Sequence, residues 1–312
     1  MLQSTDVIIQ TRRLTHCYGK FAAIQDVDLE VRRGEVFGFL GPNGAGKTTT
    51  IRTLLDFIRP SAGSATIFGL DTRREGVTIR QRTGYLPSEL VLWNNWTGLD
   101  YVRWLEQVRG RGNGHLAEAQ RLAGLLDFDL KRSLRGLSTG MKRKMGLIAA
   151  LLHRPELLIL DEPSTGLDPL MQQVFHDLVR EARAEGRTVF LSSHNLPEVE
   201  AICDRVGIIR AGRLEAVESV SDLTHVTFRW LTLTLDRAIS PETFRAIAGV
   251  SDLSGEGAVL RMRISGDTDM DAVIKQAAQY TVRDLHIEHP TLEEIFLTYY
   301  GRREGNNHES RV

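Results

Sequence analysis

The chain has 312 residues, with 39 Lys and Arg against 40 Asp and Glu, a formal net charge of −1 at pH 7. At roughly 100–200 residues per domain this length holds about two domains, and a composition of 42% hydrophobic and 25% charged residues excludes a disordered, collagenous or coiled-coil chain. The longest apolar run, residues 146–152, falls well short of the ~18 residues of a membrane span, and the near-zero charge excludes a protein that coats nucleic acid by bulk electrostatics.

In chain order, residues 7–9 and 27–31 alternate as strands, and Val36–Leu40 is a short apolar run closed by glycines. Residues 48–55 take a helical pattern. Residues 97–152 are mostly helical, with a glycine-rich break at 110–114. Residues 157–160 and 188–191 return as buried strands around the amphipathic stretch 170–184, so an α/β core with a mainly parallel, covered sheet is expected. Past residue 222 the order becomes strand Phe228–Leu235, helix 241–248, strands 250–253 and 258–264, helix 269–280 and strand Val282–Glu288. That is β-α-β-β-α-β, the ferredoxin-like α+β pattern. A last helix is expected at 291–300 and a disordered polar tail at 301–312. Two cysteines, Cys17 and Cys203, give neither a disulfide framework nor a zinc spacing. No secretory signal is read at the start, so a reducing cytoplasm is expected.

Val36–Leu40 runs directly into Gly41, Pro42, Asn43, Gly44, Ala45, Gly46, Lys47, Thr48 and Thr49, which fits GxxxxGK[ST] between a strand and a helix. Glycines let successive N–H groups curl around phosphate oxygens, and the helix that follows turns its positive end toward them. A nucleoside triphosphate is the expected ligand, with Lys47 on its β- and γ-phosphates and Thr48 on Mg²⁺. Farther on, four apolar residues bury a strand and leave Asp161 at its carboxyl end, where ligands sit in open α/β sheets. A carboxylate there suits a hard cation. Glu162 points differently and can polarise a water in line with the γ-phosphate.

Leu137-Ser138-Thr139-Gly140-Met141-Lys142 resembles the LSGGQ signature of ATP-binding-cassette (ABC) ATPases, and Leu157-Leu158-Ile159-Leu160-Asp161-Glu162-Pro163 resembles their Walker B segment. Ser164-Thr165-Gly166-Leu167-Asp168 is similar to their D-loop, Ser192-Ser193-His194 to their switch histidine, and Tyr18 is placed like the aromatic that stacks on adenine. The resemblance spans about residues 7–218. It implies a P-loop cassette over 5–221, with an antiparallel β subdomain and a helical subdomain near 88–150, and an accessory domain over 222–300. It implies ATP and Mg²⁺ as ligands, Lys47, Glu162 and His194 as catalytic groups, and Thr48 and Asp161 on the metal. Ser138, Gly140 and Asp168 would face the nucleotide bound by a second copy in a head-to-tail pair.

Some positions depart from the family pattern. Thr139 and Met141 stand where glycine and glutamine are commoner. In Gly84-Tyr85-Leu86-Pro87-Ser88-Glu89, Ser88 takes the place of a metal-sensing glutamine, and Glu89 or water is expected to complete the metal shell. Lys142, Arg143 and Lys144 read either as a solvated helix face or as direct participants. Trp93, Trp96 and Trp104 read either as packing of the helical subdomain or as a groove for a short helix of a membrane subunit. The loop acids Glu256, Asp267, Asp269 and Asp271 read as solvated. His286 and His289 lack a third ligand for a metal. Residues 289–296 resemble the closing segment of drug and polyketide-antibiotic exporter ATPases, and the accessory domain reads as a dimer-supporting or regulatory module or as plain packing.

The resemblance therefore implies an ATP-hydrolysing subunit of an exporter, docked on a separate membrane-spanning permease at the cytoplasmic face of the plasma membrane, with no nucleic acid partner. The competing class is an ABC ATPase acting on ribosomes or DNA. Those carry two cassettes or long coiled coils, and neither is read here.

Overall fold

The computed structural model describes residues 6–109, 115–224, 228–266 and 268–288. The expected break at 110–114, the last helix and tail at 291–312, Asp267 and His289 lie outside them. The chain divides into two compact units at Ser219/Val220.

The first unit opens with β1 (Val7–Tyr18), β2 (Phe21–Val27), β3 (Glu30–Arg32) and β4 (Val36–Leu40). Then come α1 (Lys47–Leu54), β5 (Ala62–Ile67), β6 (Leu70–Asp71), α2 (Gly76–Gln81) and β7 (Thr83–Leu86). Helices α3 (Gly98–Arg109), α4 (His115–Leu125) and α5 (Thr139–Leu151) follow. The unit closes with β8 (Leu157–Asp161), α6 (Pro169–Ala184), β9 (Thr188–Ser193), α7 (Leu196–Ile202), β10 (Arg205–Arg210) and β11 (Arg213–Ser219).

The central sheet runs β11-β10-β4-β9-β8-β7 and is parallel except at β11. Its strands β4, β8 and β9 are buried along their whole length, as continuous apolar strands covered on both faces must be. Phe190 of β9 stacks on Phe37 at 5.9 Å and leans on Phe39 at 5.5 Å, both in β4. Because β4, β9 and β8 are parallel neighbours, the loop after β4, Ser193–His194 and Asp161–Glu162 all emerge at one edge. A second, antiparallel sheet places β1 between β2 and β5, with β3 and β6 at its margins. Strands β5 and β6 were not expected from sequence. In β5 only Ala65 and Ile67 are buried, too sparse a pattern to announce a strand, and pairing to the long β1 supplies what the pattern lacks.

The second unit contains α8 (Val220–Thr224), β12 (Phe228–Leu235), β13 (Val250–Glu256), β14 (Val259–Ser265), α9 (Met270–Ala277) and β15 (Val282–Glu288). Its sheet is antiparallel in the order β13-β14-β12-β15. The helix expected at 241–248 is a single 3₁₀ turn, Pro241–Phe244. Only Phe244 is fully buried there, and Gly249 enters the left-handed region at φ 83°, so the stretch lacks both a full apolar face and the length for more turns. Among the described residues no helix is long and apolar enough to cross a membrane.

Past the end of α5, His153 makes the first unit acid-sensitive. Burial, then the charge of Arg109, hold its imidazole down to about 3 from the usual 6.5. The unfolded histidine takes up a proton near pH 6.5 and the folded one does not until about 3. Stability is therefore complete above pH 6.5 and falls as pH drops toward 3. Thermal denaturation of wild type and His153→Gln across this window checks it: the variant shows a flatter fall, and identical slopes would contradict it.

Candidate active site

The loop between β4 and α1 closes on itself through glycines. Gly44 and Gly46 have φ of 80° and 109°, a region other residues enter at a cost, and a Cβ on Gly41 would collide with the Ile209 carbonyl. Beside the loop lies a cleft of about 350 Å³ lined by Tyr18, Phe21, Ala23, Pro42, Asn43, Gly44, Ala45, Gly46, Lys47, Thr48, Thr49, Ser88 and Glu162. Sequence reasoning named Tyr18 there and missed Phe21, its partner across the β1–β2 hairpin. Phe21 is 66% exposed, and the signal for it was that hairpin's second aromatic.

Lys47 is buried, and its ammonium donates to the Gly41 carbonyl at 2.5 Å and the Pro42 carbonyl at 3.3 Å. It also pairs with Glu162 Oε1 at 3.1 Å. The other carboxylate oxygen, Oε2, lies 2.6 Å from His194 Nδ1. Glu162 thus bridges the buried lysine and the exposed histidine. Its backbone is left-handed, φ 53°, a strained state for a non-glycine residue that its surroundings must enforce. Hydrogen bonds from its N–H to the Ser192 carbonyl (3.2 Å) and Ser192 Oγ (3.1 Å) do so.

Next to it, Asp161 is fully buried. Ser192 Oγ donates to Oδ1 at 2.5 Å and Thr48 Oγ1 to Oδ2 at 2.8 Å. Ser192 was not singled out as Asp161's partner, because their contact exists only through the β8–β9 register. The Thr48–Asp161 oxygen pair suits Mg²⁺. Both are oxygen donors of the kind a hard cation takes, directly or through water, and they meet at 2.8 Å. Ser88 lines the cleft, whereas Glu89 is exposed and is not among its lining residues.

Ser138, Gly140 and Asp168 sit elsewhere on the unit and line none of this cleft. Ser138 caps α5, accepting from the Met141 N–H at 3.3 Å, and Asp168 caps α6, accepting from the Met171 N–H at 3.0 Å. Gly140 presses against the Gly166 carbonyl so closely that a Cβ has no room. Among Lys142, Arg143 and Lys144, the solvated-face reading fails for Arg143, which is only 4% exposed and points inward. Trp93, Trp96 and Trp104 pack on one another, with centroids 4.4–6.1 Å apart, while Trp93 and Val91 stay exposed.

Comparison with known proteins agrees with this geometry. The model of the ABC transporter family matches residues 24–165. The Linearmycin resistance ATP-binding protein LnrL of Bacillus subtilis (strain 168) is 31% identical over 308 residues, covering 95% of this chain and 99% of that protein. The Bacitracin transport ATP-binding protein BcrA of Bacillus licheniformis is 39% identical over 212 residues, 66% of this chain and 68% of that protein. A solved ATP-binding subunit of an ABC transporter superposes with a TM-score of 0.66 at 30% identity, over 69% of this chain and 91% of its own. Fold, motif geometry and relatives together show that the chain belongs to the ABC transporter family, as one of its ATP-binding, ATP-hydrolysing proteins.

Proposed function

We propose that this chain powers the export of antibiotic-like compounds, working as a head-to-tail pair of copies docked on a separate membrane-spanning permease at the cytoplasmic face of the plasma membrane. Residues 5–221 are the cassette, with a helical subdomain near 88–150, and 222–300 an accessory domain. The observation that carries the reading is the Lys47–Glu162–His194 chain at the end of β8, beside Thr48 and Asp161. The relatives named for linearmycin resistance and bacitracin transport support the substrate class.

In this reading ATP lies along residues 41–49, with its base against Tyr18 and Phe21. Lys47 exchanges part of its contact with Glu162 for the γ-phosphate. Thr48 and Asp161 would hold Mg²⁺, which would supply charge neutralisation to the phosphates when bound, and Ser88 lines the same cleft. Glu162 Oε2 accepts a proton from a water in line with the γ-phosphorus. His194, whose Nδ1 lies 2.6 Å from the same oxygen, holds that carboxylate in place. Such catalysis is positioning and charge stabilisation more than covalent chemistry. Ser138 and Gly140 at the start of α5, with Asp168, complete the site of the partner copy, where a helix N-terminus suits the γ-phosphate.

Expression of the chain with its permease in a sensitive host tests the reading. The inhibitory concentration of peptide and polyketide antibiotics should rise several-fold with wild type and not with Lys47→Ala. Equal tolerance in the two strains would contradict it.

A further inference from the structure

Three charged residues in a row on α5 have different fates. Lys142 and Lys144 stay partly exposed, while Arg143 is buried. Burying a guanidinium is costly unless every donor direction is answered, and among the described residues Arg143 makes no ion pair. Main-chain carbonyls answer it instead. Nη1 donates to the Pro87 carbonyl at 2.7 Å and reaches the Asp161 carbonyl at 3.5 Å, and Nη2 donates to the Ser88 carbonyl at 2.8 Å. Burial lowers its pKa from the ordinary arginine value, while the charges of Asp161 and then Glu162 oppose that shift. The cation therefore also sits in the field of the two working carboxylates.

One planar fork thus ties three separate pieces of chain. The first is α5, whose first turn carries Ser138 and Gly140. The second is the loop after β7, which places Ser88 in the nucleotide cleft and leads on to Trp93, Trp96 and Trp104. The third is the end of β8, one residue before Glu162. Ser88 stands where the family resemblance expects a longer glutamine side chain. Serine is too short to link the cleft to the helical segment, and a guanidinium gripping the loop's own carbonyls makes the link from behind.

We propose that Arg143 is a positioning residue for ATP hydrolysis: its guanidinium holds the Pro87–Ser88 loop against the end of β8 and makes the helical segment move with the nucleotide site. This rests on the reading of Glu162 as the base. Arg143 is not among the residues lining the nucleotide cleft, and acts through Ser88 and the β8 terminus. Lysine cannot replace it fully, since one ammonium lacks the planar fork whose two nitrogens serve the Pro87, Ser88 and Asp161 carbonyls.

The test uses the full chain with Trp230→Phe, so that Trp93, Trp96 and Trp104 are its remaining tryptophans. Arg143→Met and Arg143→Lys are compared for kcat, KM for ATP, affinity for a fluorescent ATP analogue, and tryptophan emission on adding Mg²⁺-ATP. In Arg143→Met, kcat is expected to fall about 100-fold, the cost of misplacing a catalytic group by roughly an ångström. Analogue affinity stays within about threefold, because the loop of residues 41–49 is untouched, and the ATP-induced emission change disappears. Arg143→Lys, which keeps the charge and one donor nitrogen should Arg143→Met fold poorly, restores part of both kcat and the emission change. Wild-type kcat with a wild-type emission change in either variant overturns the proposal. So does a lower melting temperature with unchanged turnover per folded molecule, which would make Arg143 merely structural. Undiminished turnover in Glu162→Gln would instead sink the reading beneath it, leaving the two failures distinguishable.

Discussion

Glu162→Gln lowers kcat by about 10²–10⁴-fold, the range of a positioned general base, and leaves ATP bound at least as tightly as in wild type. The substitution keeps the shape of the side chain and its reach to His194 Nδ1, 2.6 Å away, but removes the basic lone pair and the negative charge. Loss of that charge relieves repulsion with the γ-phosphate and frees Lys47, otherwise 3.1 Å from Oε1, to serve the nucleotide alone. Turnover therefore falls while affinity holds or improves. A phosphate-release assay with equilibrium binding of an ATP analogue separates the two quantities. Equal losses in both would mean that Glu162 builds the binding site and does not act on water.

Lys47→Ala acts on the other quantity. Lys47 is 5% exposed, and its ammonium links the Gly41 and Pro42 carbonyls to Glu162. Its removal takes the one buried cation from the phosphate loop and leaves the Glu162 carboxylate, held among partly buried neighbours, without its lysine. Truncating the cation of a buried charge pair costs about 2–5 kcal/mol, and in the nucleotide-bound protein that pair is Lys47 with the phosphates, so ATP affinity should fall roughly 30-fold or more. Lys47→Arg should not rescue it, because a planar guanidinium cannot occupy the point where the small ammonium meets two loop carbonyls. Calorimetric titration with ATP gives the answer; affinity within threefold of wild type in Lys47→Ala would remove Lys47 from the phosphate site.

What could be read in the sequence was local. The loop of residues 41–49 is contiguous, its glycines carry the backbone requirement themselves, and Asp161 and Glu162 follow directly from the apolar strand that ends at them. What escaped reading depends on contacts distant in the chain. Ser192 becomes the partner of Asp161 because β8 and β9 pair in that register. Arg143 looks like its neighbours Lys142 and Lys144 until α5 packs against the loop at residues 87 and 88. Strand β5 gains its conformation from β1, and the expected helix at 241–248 shrinks to one turn because little of it is covered. Ser88 and Glu89, adjacent in sequence, part company in space, and only Ser88 lines the cleft.

The proposed closure of two copies head to tail on ATP, each completing the other's site, is read from the mass of the Glu162→Gln protein in solution with and without Mg²⁺-ATP. With hydrolysis blocked, a dimer is expected in ATP and a monomer without it. The dimer should be lost when Gly140→Asp puts a side chain and a negative charge where the Gly166 carbonyl leaves no room. A Glu162→Gln protein that stays monomeric in saturating ATP, while wild type hydrolyses ATP at a rate per chain independent of protein concentration, would contradict it.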